Sequence, residues 1–332
     1  MKKKKILILG ISSFGGASFA NYLLNKSSFD IIGTYSKKKK LPFSLFLKKN
    51  KNFRKIKLFK VNLNLNGNQI KKVVQKCKPD YVIDFASICM VNESWLYPEL
   101  YFKINFSSKI DFIKNLHNQK KLRKYIYIST PEIFGSNKNS IIEDSRNFNP
   151  STPYAVSKLS LELLLDNYIN NLKYKIIIAR FSNFYGCGQP MYRLIPKLIY
   201  CINNKLKFPL HGDGNTKRDF IFEEDFNSGI LKLIKSGQVG KKYHFSGEKY
   251  FRIREIIKEI IKLKKYSWKK LIVNKQERAG KDKNYYLNCR KTKNELKWKC
   301  KFSLTEGLRR TINYYDNINE YIKLKDLNFK VK

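Results

Sequence analysis

Short apolar runs alternate with amphipathic stretches through the first half of the chain. The runs Ile6–Leu9, Ile31–Tyr35, Ile56–Val61, Tyr81–Phe85, Tyr125–Ile128 and Lys175–Ala179 have the length and continuity of strands buried on both faces. Between them, Gly16–Asn25, Gln69–Cys77, Trp95–Leu116 and Ala155–Asn171 read as helices. Parallel strands need crossover connections, usually helical. The alternation therefore predicts an α/β domain with a doubly wound parallel sheet over residues 1–180. Beyond Arg180 the rhythm changes. Pro and Gly gather at Gly186–Pro190, Pro196, Pro209 and Gly212–Gly214, with helices predicted near Arg193–Asn203 and Ile253–Lys265. This second half, residues 181–332, reads as a smaller mixed α/β C-terminal substrate lobe, part of which returns to the main sheet.

Composition narrows the classes. A chain of 332 residues with 42% apolar content buries a sizeable core and is not a disordered composition. Its charge is lopsided: 68 Lys and Arg against 26 Asp and Glu, or +42. Such a field can serve nucleic acid, an anionic membrane or a phosphorylated substrate. Most of the cations are scattered Lys in a chain also rich in Ile and Asn, which reads as compositional drift placed on solvated faces. No nucleic-acid partner is expected, and a basic nucleic-acid-binding scaffold stands as the alternative from another class. No apolar run approaches the ~18 residues of a membrane span, so no membrane association is expected. Lys2–Lys5 followed by Ile6–Leu9 mimics a signal peptide, but the same residues fit a first strand, a turn and a helix start. The six cysteines, Cys77, Cys89, Cys187, Cys201, Cys289 and Cys300, form no C-x-x-C pair and no zinc spacing. We expect no metal, reduced thiols and a cytoplasmic location.

Strand Ile6–Leu9 ends at Gly10, and Gly16 opens the next helix. Glycines at such a junction let backbone N–H groups approach a pyrophosphate at a helix N-terminus. This makes the first half Rossmann-like and makes Gly10, Ser13, Phe14 and Gly16 candidate cofactor contacts. Ser13 stands where the usual pattern has its middle glycine. Enzymes selective for NAD usually carry Asp or Glu after the second strand; here Ser36 and Lys37 follow it. Both suit a 2′-phosphate, so the cofactor reads as NAD(P)+ with a slight lean to NADP.

Tyr154-Ala155-Val156-Ser157-Lys158 places Tyr154 and Lys158 on one helix face. A nearby ammonium favours the phenolate and would lower the Tyr154 pKa, making it a usable base. Ser129-Thr130-Pro131-Glu132 follows the strand Tyr125–Ile128, at the carboxyl edge where open α/β sheets bind ligands. There Thr130 can orient the Tyr154 hydroxyl, and Glu132 can take a carbon-bound proton.

Together these segments resemble the extended short-chain dehydrogenases, and within them the NAD-dependent epimerase/dehydratase enzymes like dTDP-glucose 4,6-dehydratase. The resemblance spans nearly the whole length. It rests further on Pro79–Ser87, Met90–Trp95, Ser151–Tyr154, Arg180–Gly186, Arg193–Pro196, Gly212–Gly214, Arg218–Phe220 and Arg278–Asp282. It implies a nucleotide-diphosphate sugar substrate, a tightly bound cofactor regenerated each turnover, and a homodimer. It adds Asn62, Phe85, Ala86, Ser87 and Asn105 as cofactor contacts, and Ser94, Asn183, Arg193, Arg218 and Arg278 as substrate contacts. The implied reaction oxidises C4 with Tyr154 as base and Thr130 and Lys158 assisting. Glu132 then takes the C5 proton, water leaves from C6, and hydride returns to C6. Many relatives carry an Asp between the Thr and the Glu as acid for the leaving hydroxyl. Pro131 occupies that position, so Glu132 would serve as base and then as acid. UDP-glucuronate decarboxylase and nucleotide-sugar 4-epimerase activities are the alternatives within the family.

Overall fold

The computed structural model describes residues 3–26, 29–36, 47–63, 68–277 and 282–328. Within them β1 (Lys5–Leu9), β2 (Asp30–Tyr35), β3 (Lys57–Lys60), β4 (Tyr81–Asp84), β5 (Lys124–Ser129) and β6 (Ile176–Phe181) fall on the six predicted runs. The helices in this half are α1 (Phe14–Lys26), α2 (Asn68–Cys77), α3 (Val91–Leu96), α4 (Pro98–Phe102), α5 (Ser108–His117) and α6 (Pro153–Leu172). After them come β7 (Asn183–Tyr185), α7 (Leu194–Asn203), β8 (Phe208–His211), β9 (Lys217–Phe222) and α8 (Glu223–Ser236). The chain continues with β10 (Lys242–Phe245), β11 (Tyr250–Arg252), α9 (Ile253–Leu263), α10 (Trp268–Leu271) and β12 (Ile272–Lys275). It finishes with α11 (Arg290–Leu296) and α12 (Leu304–Asn317).

The main sheet has seven strands in the order β3-β2-β1-β4-β5-β6-β10, all parallel. Side chains alternate across it. Ile6 and Ile8 of β1 pack with Phe19 and Leu23 of α1 and Phe226 and Ile230 of α8. Leu7 and Leu9 face the other way, onto Val73 of α2, Phe112 of α5 and Leu161 of α6. The order in which strands are added reverses between β1 and β4, the switch point where such sheets bind ligands. A third core lies between Ile195 and Leu198 of α7, Ile256 and Ile260 of α9, and Leu308 of α12. It belongs to a lobe carrying the sheets β11-β9-β7 and β12-β8.

The single helix expected over Trp95–Leu116 is three helices and a turn. Pro98 opens α4, and Tyr97 before it leaves the helical region (φ −136°, ψ 52°), as a residue before proline must. A π-helical turn then spans Lys103–Ser107 and buries Asn105, the kind of local widening often found at functional positions.

Candidate active site

The turn after β1 is built for close backbone approach. Gly10 has φ +73°, and a Cβ there would lie 3.0 Å from the Ala86 Cα. A Cβ on Gly16 would meet the Gly10 carbonyl oxygen at 2.4 Å. Ser13 sits just before α1, and its Oγ accepts the Gly16 N–H (3.1 Å), the geometry of a helix N-cap. It thereby takes one amide that a glycine would leave free for a ligand. The Phe14 ring points inward and stacks on Phe184 at 5.0 Å, so only its backbone is left for the turn. Phe85 fills the space against Gly15. These residues fit a dinucleotide pyrophosphate, because a side chain would fill the same cradle. Ser36 is exposed past the end of β2, and Asn62 follows β3 with its N–H donated to Gln69 (2.8 Å). Lys37 and Arg278 lie outside the described residues.

Thr130 and Glu132 arrive on the carboxyl end of β5. Thr130 caps a 3-10 turn over Pro131–Phe134 by accepting the Glu132 N–H at 3.3 Å. Thr152 does the same for α6 through the Ala155 N–H (3.2 Å), with Pro153 in the first turn. Two caps therefore fix Glu132 and Tyr154 near each other, and a side-chain hydrogen bond joins Tyr154 to Thr130. Burial lifts the Glu132 carboxyl to about 7, with Arg218 and Arg193 opposing and Asp282 reinforcing the shift.

The Tyr154 pKa is raised well above its ordinary value by burial, then by the charge of Glu132. This corrects the sequence reading, in which the Lys158 ammonium lowers it. Lys158 is turned elsewhere: its Nζ donates to the Ile128 carbonyl (2.8 Å) and to Ser87 Oγ (3.1 Å). Burial brings its own pKa down to about 7, with Lys109 the next cause. Asn105 pins the segment after β4: its Oδ1 accepts the Ile88 N–H (2.9 Å), and its Nδ2 donates to the Ile88 carbonyl and to Ser157. Ala86 donates its N–H to Asp84 (2.9 Å).

The substrate-lobe residues converge only in part. Arg193 precedes α7 and donates from Nη2 to the Cys89 carbonyl (3.3 Å) and Sγ (2.9 Å). Its charge reaches both Glu132 and Tyr154, which puts it beside the acid–base pair. Arg218 is buried against the Tyr285 ring (4.2 Å) and donates to the carbonyls of Lys217, Lys283 and Asp282. A further hydrogen bond joins the guanidinium to the Tyr285 side chain, so of its five N–H donors at most one is left over for a ligand. Asn183 is half-buried on β7, whereas Ser94 is fully buried and donates to the Val91 carbonyl (2.6 Å).

Sequence reasoning missed Asp84, Lys109 and Glu162. Lys109 Nζ lies 2.8 Å from Asp84 and 3.5 Å from Ser87 Oγ, and Glu162 accepts from Ser129 at 2.8 Å. A charged residue inside an apolar run was the available signal for Asp84. Among the described residues no His/Cys/Asp/Glu group could hold a metal, and no helix is long and apolar enough to cross a membrane.

The chain is 27% identical to the dTDP-D-glucose 4,6-dehydratase of Dictyostelium discoideum, over 96% of this chain and 83% of that one. Its fold is similar to the dTDP-glucose 4,6-dehydratase of Streptomyces venezuelae solved with NAD, with TM-score 0.87, 22% identity and 96% and 98% coverage. It is also similar to the UDP-glucuronic acid 4-epimerase of Bacillus cereus solved with UDP-glucuronic acid and NAD, with TM-score 0.83, 24% identity and 95% and 99% coverage. The GDP-mannose 4,6 dehydratase family model matches residues 7–311, nearly the whole chain from β1 to α12, and the chain belongs to that family.

Proposed function

We propose that this protein is a nucleotide-sugar 4,6-dehydratase of the dTDP-glucose type, converting its substrate to a 4-keto-6-deoxy sugar nucleotide. The observation that carries the reading is Glu132, held by the Thr130 cap beside Tyr154, which bonds the same Thr130, and lifted by burial to about 7. A 4-epimerase has no proton to take from C5, whereas a dehydratase needs a group that accepts one and then gives one up. A group with a pKa near the working pH does both.

In this reading Tyr154 takes the proton of the sugar 4-hydroxyl, held in line by Thr130. The nicotinamide, when bound, supplies the acceptance of hydride from C4 and its return at C6. Glu132 removes the C5 proton, which the 4-ketone has acidified, and passes it to the departing C6 hydroxyl, which leaves as water. Once hydride is back on C6, C5 takes a proton again, the equivalent of the one Tyr154 received from the 4-hydroxyl. Pro131 supplies no second acid, so both duties fall to Glu132. Asn183, Arg193, Arg218 and Arg278 are the proposed substrate contacts, with Arg193 at the sugar end. The solved relatives are described with NAD, and nothing among the described residues supports the lean to NADP.

We further read the protein as a cytoplasmic homodimer. Trp95, Leu96, Tyr97, Val156 and Leu163 lie exposed on or beside α3 and α6, and joining these faces between two copies would cover them. A monomer by size-exclusion chromatography at micromolar concentration would remove the dimer. The activity is tested by incubating purified protein with dTDP-glucose, CDP-glucose, GDP-mannose and UDP-sugars without added reductant. Loss of one water by mass spectrometry, abolished by Glu132→Gln, supports the reading. Carbon dioxide release or simple C4 inversion would instead assign a decarboxylase or an epimerase.

A further inference from the structure

Asp84 closes β4 with no exposed surface, and Lys109 in the first turn of α5 is 1% exposed. Their ion pair is 2.8 Å long. The carboxylate is fully engaged, taking Lys109 and the Tyr125 hydroxyl (2.7 Å) on Oδ2 and the Ala86 N–H (2.9 Å) on Oδ1. Apolar side chains of similar volume usually hold a core together as well as a buried ion pair does. The position of this one is therefore more telling than its stability. Lys109 Nζ also reaches Ser87 Oγ (3.5 Å), the atom to which Lys158 Nζ donates (3.1 Å). Both ammonium groups also approach the same Tyr127 ring, at 5.5 and 4.2 Å from its centroid. Two buried cations thus meet over one hydroxyl and one aromatic ring, and a like charge at that range disfavours the charged form of its neighbour.

We propose that Lys109, anchored by Asp84 and Tyr125, is a positioning residue for Lys158: it fixes the Ser87 hydroxyl between the two ammonium groups and makes Lys158 easier to deprotonate. This rests on the reading of Lys158 as part of the catalytic machinery. The consequence is a lysine that exchanges its proton readily, beside a tyrosine that must lose and regain one in each turnover. The groups facing Lys158 come from several elements. Lys109 on α5 opposes its charge, while Asp84 at the end of β4, Glu162 one turn along α6, and Cys89 support it. Tyr127 presents its ring, and Tyr154 shares the helix. Lys109 is the strongest of the charges, and burial acts in the same direction.

The test reads the proton on Lys158 rather than turnover, so its result is independent of which sugar nucleotide is used. The full-length protein is labelled with 13C at lysine Cε and titrated by NMR, with the Lys158 resonance assigned by its loss in Lys158→Met. In Lys109→Gln the Lys158 midpoint is expected to move up by about one pH unit or more. In Lys109→Arg, which keeps the charge, it is expected to stay within a few tenths of wild type. Should Lys109→Gln not fold, Lys109→Gln/Asp84→Asn replaces the pair by neutral groups of the same shape. Its Lys158 midpoint is expected to rise by a smaller amount, because an opposing charge leaves too. A midpoint unchanged from wild type in whichever neutral variant folds overturns the proposal, as does a rise in Lys109→Arg equal to that in Lys109→Gln.

Discussion

The Glu132 carboxylate holds the proton on the Tyr154 hydroxyl: after burial, its charge is the largest cause of the raised Tyr154 pKa. The pair therefore titrates against itself, and the substitution Glu132→Gln separates two steps. Water elimination should fall by about 10²–10⁴-fold, the usual contribution of a positioned acid–base group. Oxidation at C4 should persist, with its pH dependence displaced downwards, because Tyr154 loses a neighbouring negative charge. Rapid mixing that follows reduced nicotinamide together with water loss by mass spectrometry checks both. Equal loss of the two steps would contradict the division of labour.

The same substitution carries a stability prediction whose sign can be worked out. Folding raises the Glu132 pKa from 4.5 to about 7. The folded state then binds the proton more tightly than the unfolded chain, so this group's contribution is most favourable below about 4.5 and declines as pH rises through about 7. Glu132→Gln should match wild type near pH 4.5 and exceed it by about 3 kcal/mol at pH 8, at ~1.36 kcal/mol per pKa unit. Urea unfolding at a series of pH values measures the gap, and a gap that does not widen with pH would refute the buried-carboxyl reading.

Gly10→Ala should impair the cofactor cradle before it impairs the fold. The position has positive φ, and the added methyl would sit 3.0–3.2 Å from the Ala86 and Phe85 backbone. Strain of about 1–3 kcal/mol is expected, relieved by pushing the turn away from β4. Calorimetric titration with NAD should show affinity at least tenfold weaker while the circular dichroism spectrum stays native. Unchanged affinity would mean that the dinucleotide does not use this turn.

How far the sequence reveals this molecule depends on what surrounds each residue. The six strands from β1 to β6 were legible because burial on both faces demands unbroken apolar runs. β10 was not legible: Lys-Tyr-His-Phe reads as polar, although His244 is fully buried with its ring nitrogen 2.9 Å from Arg180. The break between α3 and α5 could be read at Pro98, but the π-helical turn carries no compositional mark. Thr130, Glu132, Tyr154 and Lys158 are candidates from spacing and resemblance, since each keeps its place relative to a strand end or a helix start. Lys109 was hidden by the composition itself. Where Lys is abundant, a buried Lys looks like every solvated one, and only its partners Asp84 and Tyr125, distant in sequence, distinguish it. The direction of the Tyr154 shift was also hidden, because helix spacing places Lys158 nearby but does not say where its ammonium group points.

A second buried pair makes a test of packing. Arg180 and Glu162 form an ion pair with essentially no exposed surface between β6 and α6. Arg180 also donates to the Glu143 carbonyl (2.7 Å), and Ser129 next to Thr130 donates to Glu162 (2.8 Å). Glu162→Gln leaves a buried guanidinium without its counter-charge, for which about 3–5 kcal/mol of destabilisation is expected. The urea midpoint should fall accordingly, with the slope unchanged. A loss below ~1 kcal/mol would mean that water or another group reaches Arg180.

Cys89 offers a chemical handle on the mouth of the site. All six cysteines are free, and it is the one with an exposed residue surface. Its Sγ lies 2.9 Å from Arg193 Nη2, and its charge, when ionised, reaches Tyr154. Burial pushes the Cys187, Cys201, Cys289 and Cys300 thiols up, which makes them slow to alkylate because the thiolate is the reactive form. One equivalent of N-ethylmaleimide should therefore label Cys89 first. The adduct would stand between Arg193 and the Tyr154–Glu132 pair, and turnover should fall more than tenfold. A nucleotide-diphosphate sugar should slow the labelling by occupying the same space, and Cys89→Ser should remain active and become insensitive. Peptide mass mapping against residual activity decides the matter: full activity with Cys89 fully modified would place the substrate away from Arg193 and remove it from the proposed sugar contacts.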